Sequence, residues 1–274
     1  MSLTSFLGIK EVKRVFSRVF SLPPFTAKPP MMAPPVTTNY GMVGTAFDYL
    51  MRFYLEKINP KTITHRWVAE EAVNLSQTIF PDHFEKANEL LENAKKVYLD
   101  YRNSGVLTDD LIISSVHLAQ LDPIFRAAVL DPNMGSVENG DIEDLKNLIN
   151  AMDPAIFTAK KICILNPTFG EGSHLVSGAD GDFLIDKTLV DIKTTKNLQL
   201  KPDHFYQLIG YYILSEIGGI DNAPSGLKIE KVGIYFSRHG FLYTLPIKPI
   251  IEQVNFPKFV DWFKKLAEMV FHKE

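Results

Sequence analysis

The chain has 274 residues, a formal charge of −3 at pH 7, 46% apolar and 22% charged residues, and one cysteine, Cys163. That length suits one large α/β domain or a core with a helical annex, and the apolar content excludes disorder over most of it. A single cysteine excludes an intrachain disulfide and a cysteine-built zinc site, no apolar run approaches the ~18–20 residues that span a bilayer, and the bulk charge carries no nucleic-acid signature.

Charge is concentrated at the start. Residues 1–36 carry Lys10, Lys13, Arg14, Arg18 and Lys28 against Glu11, a net +4, which leaves −7 for the other 238 residues. No continuous apolar h-region marks a secretory signal, so the expected location is the cytoplasm. Ile9, Val12, Phe16 and Val19 recur at helical spacing with the basic residues on another face. This predicts a short helix docked on the body, with a basic face for a protein partner, nucleic acid or a membrane surface. Residues 22–36 hold six prolines. They read as an extended strap or linker, and residues 1–39 form the first segment.

From near Tyr40 to residue 158 the periodicity is helical. "GTAFDYLMRFYLEK" (44–57) has no internal breaker. Phe84, Ala87, Leu91, Ala94, Tyr98 and Tyr101 form one apolar stripe. Thr108 before Asp109 and Asp110 is an N-terminal signal for a helix expected to end at Asp122-Pro123. Ile142, Leu145, Ile149 and Met152 mark another. From 159 to 274 the texture changes. "KKICIL", "HLVSGADGDFLI" and "TLVDIKTT" read as strands, the last two joined tightly by Asp186-Lys187. "HFYQLIGYYILSEI" is a helix, "KVGIYFS" and "FLYTLP" make a hairpin, and "FPKFVDWFKKLAEMVF" closes the chain as an amphipathic helix. The order predicts a mixed sheet flanked by helices, preceded by a helical region.

The informative stretch is "SGADGDFLIDKTLVDIKTTK" (177–196). Side chains two apart on a strand share a face, which pairs Asp180 with Asp182 and Asp191 with Lys193. A tight connection then brings Asp182, Asp191 and Lys193 to one spot. Adjacent carboxylates repel unless a counter-charge is present. Mg²⁺ or Mn²⁺ offsets that repulsion with one or two carboxylates, waters and substrate phosphate as ligands, and a nearby lysine can stabilise phosphoryl charge. The bland alternative is a solvated hairpin face on which Lys193 merely pairs Asp191. An EF-hand count over Asp180, Asp182 and Asp186 fails, with Leu184 at the fifth position, Ile185 where glycine is required and Asp191 at the twelfth. Cys163 lies in an apolar run and reads as core.

With "GADGDFLI…LVDIKTTK" followed by "QLIGYYIL", the chain resembles the PD-(D/E)XK nuclease superfamily and its RecB-like exonuclease branch. The resemblance covers about residues 165–245. It implies a restriction-endonuclease-like core, with Asp182 and Asp191 as metal-binding acids, the Ile192 carbonyl as a further ligand and Lys193 as the catalytic lysine. Gln207 and Tyr211 match the branch's Gln-x-x-x-Tyr signature and would orient the DNA backbone or the site. "GTAFD" puts Asp48 where the branch carries a histidine after its glycine. Asp48 is thus a further candidate ligand, against the alternative of an i,i+4 pair with Arg52. Asp180 is a second candidate ligand, and Glu70 and Glu71 are weaker ones. Lys196 and His204 are candidate nucleic-acid contacts. A local groove with Lys187, Lys193, Lys196, Lys201 and Arg238 would offset the acidic bulk charge. The expected function is a Mg²⁺- or Mn²⁺-dependent deoxyribonuclease of exonuclease type, acting on DNA ends in processing, repair or recombination. The alternative is a non-catalytic nucleic-acid-binding or assembly module on the same fold.

Overall fold

The computed structural model describes residues 2–272. Helices α1 (Leu3–Gly8) and α2 (Lys10–Val19) are followed by an extended strap to residue 39. A helical region comprises α3 (Tyr40–Ile58), α4 (Val68–Ile79), α5 (Pro81–Ser104), α6 (Asp109–Ala127), α7 (Asn139–Asn150) and α8 (Pro154–Phe157). The remainder is β1 (Cys163–Leu165), α9 (Glu171–Leu175), β2 (Phe183–Ile185), β3 (Thr188–Lys193), α10 (Pro202–Gly218), β4 (Lys231–Phe236), a 3₁₀ turn (Ser237–His239), β5 (Phe241–Pro246), α11 (Lys248–Ile251) and α12 (Phe256–Phe271). Among the described residues no helix is long and apolar enough to cross a membrane.

The five strands form one mixed sheet in the order β1-β2-β3-β4-β5. β1, β2 and β3 pair antiparallel, β3 and β4 pair parallel across the α10 crossover, and β4 and β5 pair antiparallel. The strands alternate between two apolar layers, as their period of two requires. Cys163, Leu165, Phe183, Val190 and Tyr235 bury against the helical region. Ile164, Leu184, Leu189, Val232 and Ile234 bury against α1, α2, α9, α10 and α12. The result is an α/β sandwich, three layers deep.

Three expectations meet the structure with different outcomes. The N-terminal helix expected to dock on the body does so, as two helices, α1 and α2, rather than one. Leu3, Phe6, Val12, Phe16 and Phe20 belong to the core shared with α10 and α12. Phe16 meets Tyr206 and Phe259 edge-on, at 5.6 and 5.2 Å between ring centroids. The apolar stripe of α2, Val12 and Phe16, is fully buried there together with Phe20 just after it. Second, "HLVSGADGDFLI" is not one strand. Its start lies in α9 and the loop after it, and only Phe183–Ile185 pair as a strand. Ser173 organises this stretch, its Oγ accepting from Phe169 N at 2.8 Å and donating to Ala179 O at 2.7 Å. Third, Pro123 does not end α6, which runs on to Ala127 and closes at Ala128 with φ 51°. Asp122 stays buried as acceptor for the Tyr49 hydroxyl at 2.6 Å, and tertiary burial holds the extra turn in place.

Candidate active site

The parity of the strands sets the site. Leu184 and Leu189 face α10, so Asp182, Asp191 and Lys193, each an even number of residues away, face α10 as well. The β2–β3 register pairs Phe183 with Val190 and so brings Asp182 alongside Asp191. An oxygen of Asp182 accepts the backbone N–H of Ile192. Lys193 Nζ lies 2.7 Å from Asp191 Oδ2 and donates to Gln207 Oε1 at 3.2 Å. Gln207 Nε2 in turn donates to the Tyr211 hydroxyl at 2.8 Å. Gln207 and Tyr211 sit one turn apart on α10, on the face that covers β3. Asp191 keeps 5% of its side chain exposed and Lys193 25%, so the lysine is the more accessible of the pair. These groups line a cleft of about 690 Å³ whose other walls are Ser2–Ser5, Ser177–Asp180 and the end of α6.

Asp48 approaches from α3, at the end of the strands. Both alternatives for it coexist. One oxygen pairs with Arg52, while Oδ1 is buried with no hydrogen-bond partner. Arg52 is held in turn by Asn166 Oδ1 at 3.0 Å and lies 4.2 Å over the Tyr49 ring. The Tyr49 hydroxyl accepts from Ala69 N at 3.1 Å while donating to Asp122. A buried polar network thus fixes Asp48, and nothing in the sequence singled out Tyr49, Asp122 or Asn166 for it. A Cβ on Gly44, one turn earlier, would meet Thr194 Cβ at 3.8 Å, an ordinary contact, so the space there does not require glycine.

The electrostatics follow from burial. Desolvation raises Asp182 well above the ordinary carboxylate value, and Asp191 and Asp48 push it further, against the Ile192 N–H and Lys193. Asp191 is raised by burial, with Lys193 opposing that rise. Burial works against the Lys193 charge, but Asp191 and Asp182 win and leave it above the usual lysine value. Burial raises the Tyr211 phenol, with the carboxylates Asp191, Asp182 and Asp180 adding to it. His204 is pushed down to about 4 by burial and then by Lys193 and Lys201, and its Nδ1 is buried without a partner. It is a neutral ring beside the lysine at neutral pH.

The other sequence candidates divide. Asp180 lines the cleft from the loop before β2, bridged to Thr168 rather than standing on a strand with Asp182. Lys196 does not line the cleft; its ammonium lies 5.0 Å over the Tyr40 ring. Glu70 and Glu71 are elsewhere: Glu70 caps α4 through Trp67 N at 3.0 Å, and Glu71 pairs with Arg66 at 2.9 Å. The basic groove is smaller than expected. Arg238 is buried against Asp144 at 2.7 Å, and Lys187 pairs with Glu230 at the opposite end of β3 from Lys193. Cys163 is buried on β1, its thiol pushed up to about 11 by burial. Among the described residues no three His, Cys, Asp or Glu side chains are grouped to close on one ion. Compared with known proteins, the chain matches no family model, no curated protein and no solved structure.

Proposed function

We propose that the chain is a divalent-metal-dependent deoxyribonuclease, of exonuclease type and intracellular, that hydrolyses DNA phosphodiester bonds. The observation that carries this reading is the convergence of Asp182, Asp191, Lys193 and Gln207 on one sheet face at the floor of a cleft. It agrees with the likeness of these residues to the RecB-like branch of the PD-(D/E)XK superfamily. The residues fit an oxygen-ligated cation. Two neighbouring carboxylates face a single ammonium, and Asp48 adds a buried oxygen with no partner. Mg²⁺ needs only one or two carboxylates, with waters and substrate completing its shell. Asp182 and Asp191 would hold it, with the Ile192 carbonyl as a further ligand. When bound, such an ion lowers the pKa of coordinated water and offsets phosphoryl charge. Lys193, the partly accessible cation of the cluster, is placed to stabilise charge on the scissile phosphate. Gln207 orients that ammonium, and Tyr211 orients Gln207.

The test is cleavage of end-labelled linear and circular DNA, single- and double-stranded, with Mg²⁺ or Mn²⁺. The expected result is degradation from ends, a loss of about 10²–10³-fold or more in Asp191→Asn, and a comparable loss of rate in Lys193→Ala with metal affinity kept. Cys163→Ala should retain activity. Cleavage that persists in excess EDTA would sink the proposal, as would intact DNA under every condition. The second reading, a non-catalytic nucleic-acid-binding module, draws on the Lys193–Asp191 ion pair, which already satisfies one carboxylate. Divalent-metal binding that disappears in Asp191→Ala decides against it.

A further inference from the structure

The last turn of α6 is a wall shared by three depressions. Arg126 borders the main cleft, a smaller depression toward Tyr40 and Thr194, and a third basin of about 580 Å³ on the far side. Phe125 borders the cleft and the third basin. That basin reaches from Ser177–Asp180 to His65, Arg66 and His174.

Most charges in the basin are committed. Arg52 holds Asp48, and Arg66 pairs with Glu70 and Glu71. Asp221 accepts from Thr168 Oγ1 and Gly170 N. Arg126 differs. Only its Nε approaches an acid, Asp122 Oδ2 at 3.5 Å, and its side chain is 57% exposed. Its terminal nitrogens have no protein partner among the described residues. Beside it Phe125 exposes 51% of its surface on the last turn of a helix whose other apolar side chains are largely buried. Across the basin, His65 Nε2 is buried with no hydrogen-bond partner.

A guanidinium whose terminal nitrogens are free of protein partners, next to an exposed ring, is the pairing that grips a nucleic-acid strand, the cation on a phosphate and the ring under a base. A ring face is useful only to a base that is not stacked in a duplex. We propose that the end of α6 is a strand-guiding subsite for single-stranded DNA, with Arg126 on a phosphate where cleft and basin meet and Phe125 stacked on the adjoining base in the basin. The proposal rests on the nuclease reading of the acidic cluster and adds the form of DNA that it takes. Arg126 and Phe125 are positioning residues, which fix the path of the strand over Lys193.

The test is fluorescence anisotropy of a labelled oligothymidylate of about 12 nucleotides, within the range of single-strand sites, and of a duplex of the same length. The full chain carries Asp191→Asn throughout, so that cleavage does not blur binding. Single strand should bind more tightly than duplex. Arg126→Gln should weaken it about tenfold and lower the salt slope by about one. Phe125→Ala should weaken it about tenfold with the slope unchanged, and Phe125→Trp should restore it. Lys248→Ala, an exposed remote change, should match the parent, and all variants should melt with it. Parental affinity in both Arg126→Gln and Phe125→Ala overturns the subsite, and so does tighter binding of duplex. If the wild-type chain still cleaves DNA in that case, the nuclease reading stands without the subsite. If it neither binds nor cleaves DNA, both fall.

Discussion

Asp182 and Asp191 illustrate how one pair of like residues acquires unlike roles. Asp191 is buried with an ammonium 2.7 Å away, whereas Asp182 has the Ile192 N–H and a more distant share of the same lysine. The repulsion therefore falls mainly on Asp182. A carboxylate whose folded-state pKa is raised contributes stability below its unfolded pKa and loses it as pH rises through the folded value. Asp182→Asn should thus stabilise the metal-free protein at pH 7 by about 1–2 kcal/mol while activity is lost, a trade typical of functional sites. The gain should vanish at the acid end of the ordinary carboxylate range, where both forms are neutral. Asp191→Asn should give no such gain, because it strips Lys193 of its closest partner. Thermal melts in EDTA across pH check this. A lower melting temperature for Asp182→Asn at neutral pH would mean that the pair is adequately compensated without a cation. The convergence of the acidic cluster was legible in sequence because a strand's period of two forces Asp191 and Lys193 together whatever surrounds them. Arg126 and Phe125 were not. They depend on α6 continuing past Pro123, and a proline inside a helical pattern normally reads as its end.

At the scale of elements, α9 is the piece that periodicity could not reveal, since a helix of 5 residues shows no stripe. Its position is fixed by glycines rather than by apolar side chains. A Cβ on Gly172 would stand 2.4 Å from the Leu214 carbonyl oxygen, and one on Gly218 would stand 2.0 Å from that of Phe169. These neighbours are backbone atoms and cannot swing aside. The close approach holds α9 against α10 and so positions the Ser177–Asp180 wall of the cleft opposite Gln207 and Tyr211. Gly172→Ala should therefore cost about 2–3 kcal/mol through overpacking, measured by denaturant unfolding, and should impair DNA cleavage more than its stability loss explains. A neutral outcome would show that α9 can slide on α10, and the cleft wall would then not be built on this contact. By contrast α5 and α12 follow their apolar stripes closely, being long enough for a 3.6-residue period to repeat several times.

Across the whole molecule, the sheet separates two apolar layers, and the acidic cluster lies at the strand ends where α3 from one layer meets α10 from the other. Something must keep the layers in register there. Arg238, in the turn between β4 and β5, does so from full burial: it donates to Asp144 of α7 at 2.7 and 3.1 Å and to the Ala33 carbonyl of the strap at 3.2 Å. The strap answers by donating Met32 N and Ala33 N to the Arg238 carbonyl at 2.8 and 2.9 Å. A side chain read in sequence as part of a DNA-binding groove is instead the point where strap, helical region and sheet are tied. Its fate was not legible because its partner lies 94 positions away in sequence. Breaking such a pair leaves an uncompensated buried charge, which costs about 3–5 kcal/mol, whereas replacing both members by apolar groups of similar volume is often neutral. Asp144→Ala alone should be strongly destabilising by chemical denaturation, and Asp144→Leu combined with Arg238→Met should recover most of that loss. Because neither residue touches the cleft, the double variant should cleave DNA at nearly the parental rate once folded. Equal destabilisation in single and double variants would instead assign the stability to the strap's backbone hydrogen bonds, with the ion pair incidental to how the two layers are held.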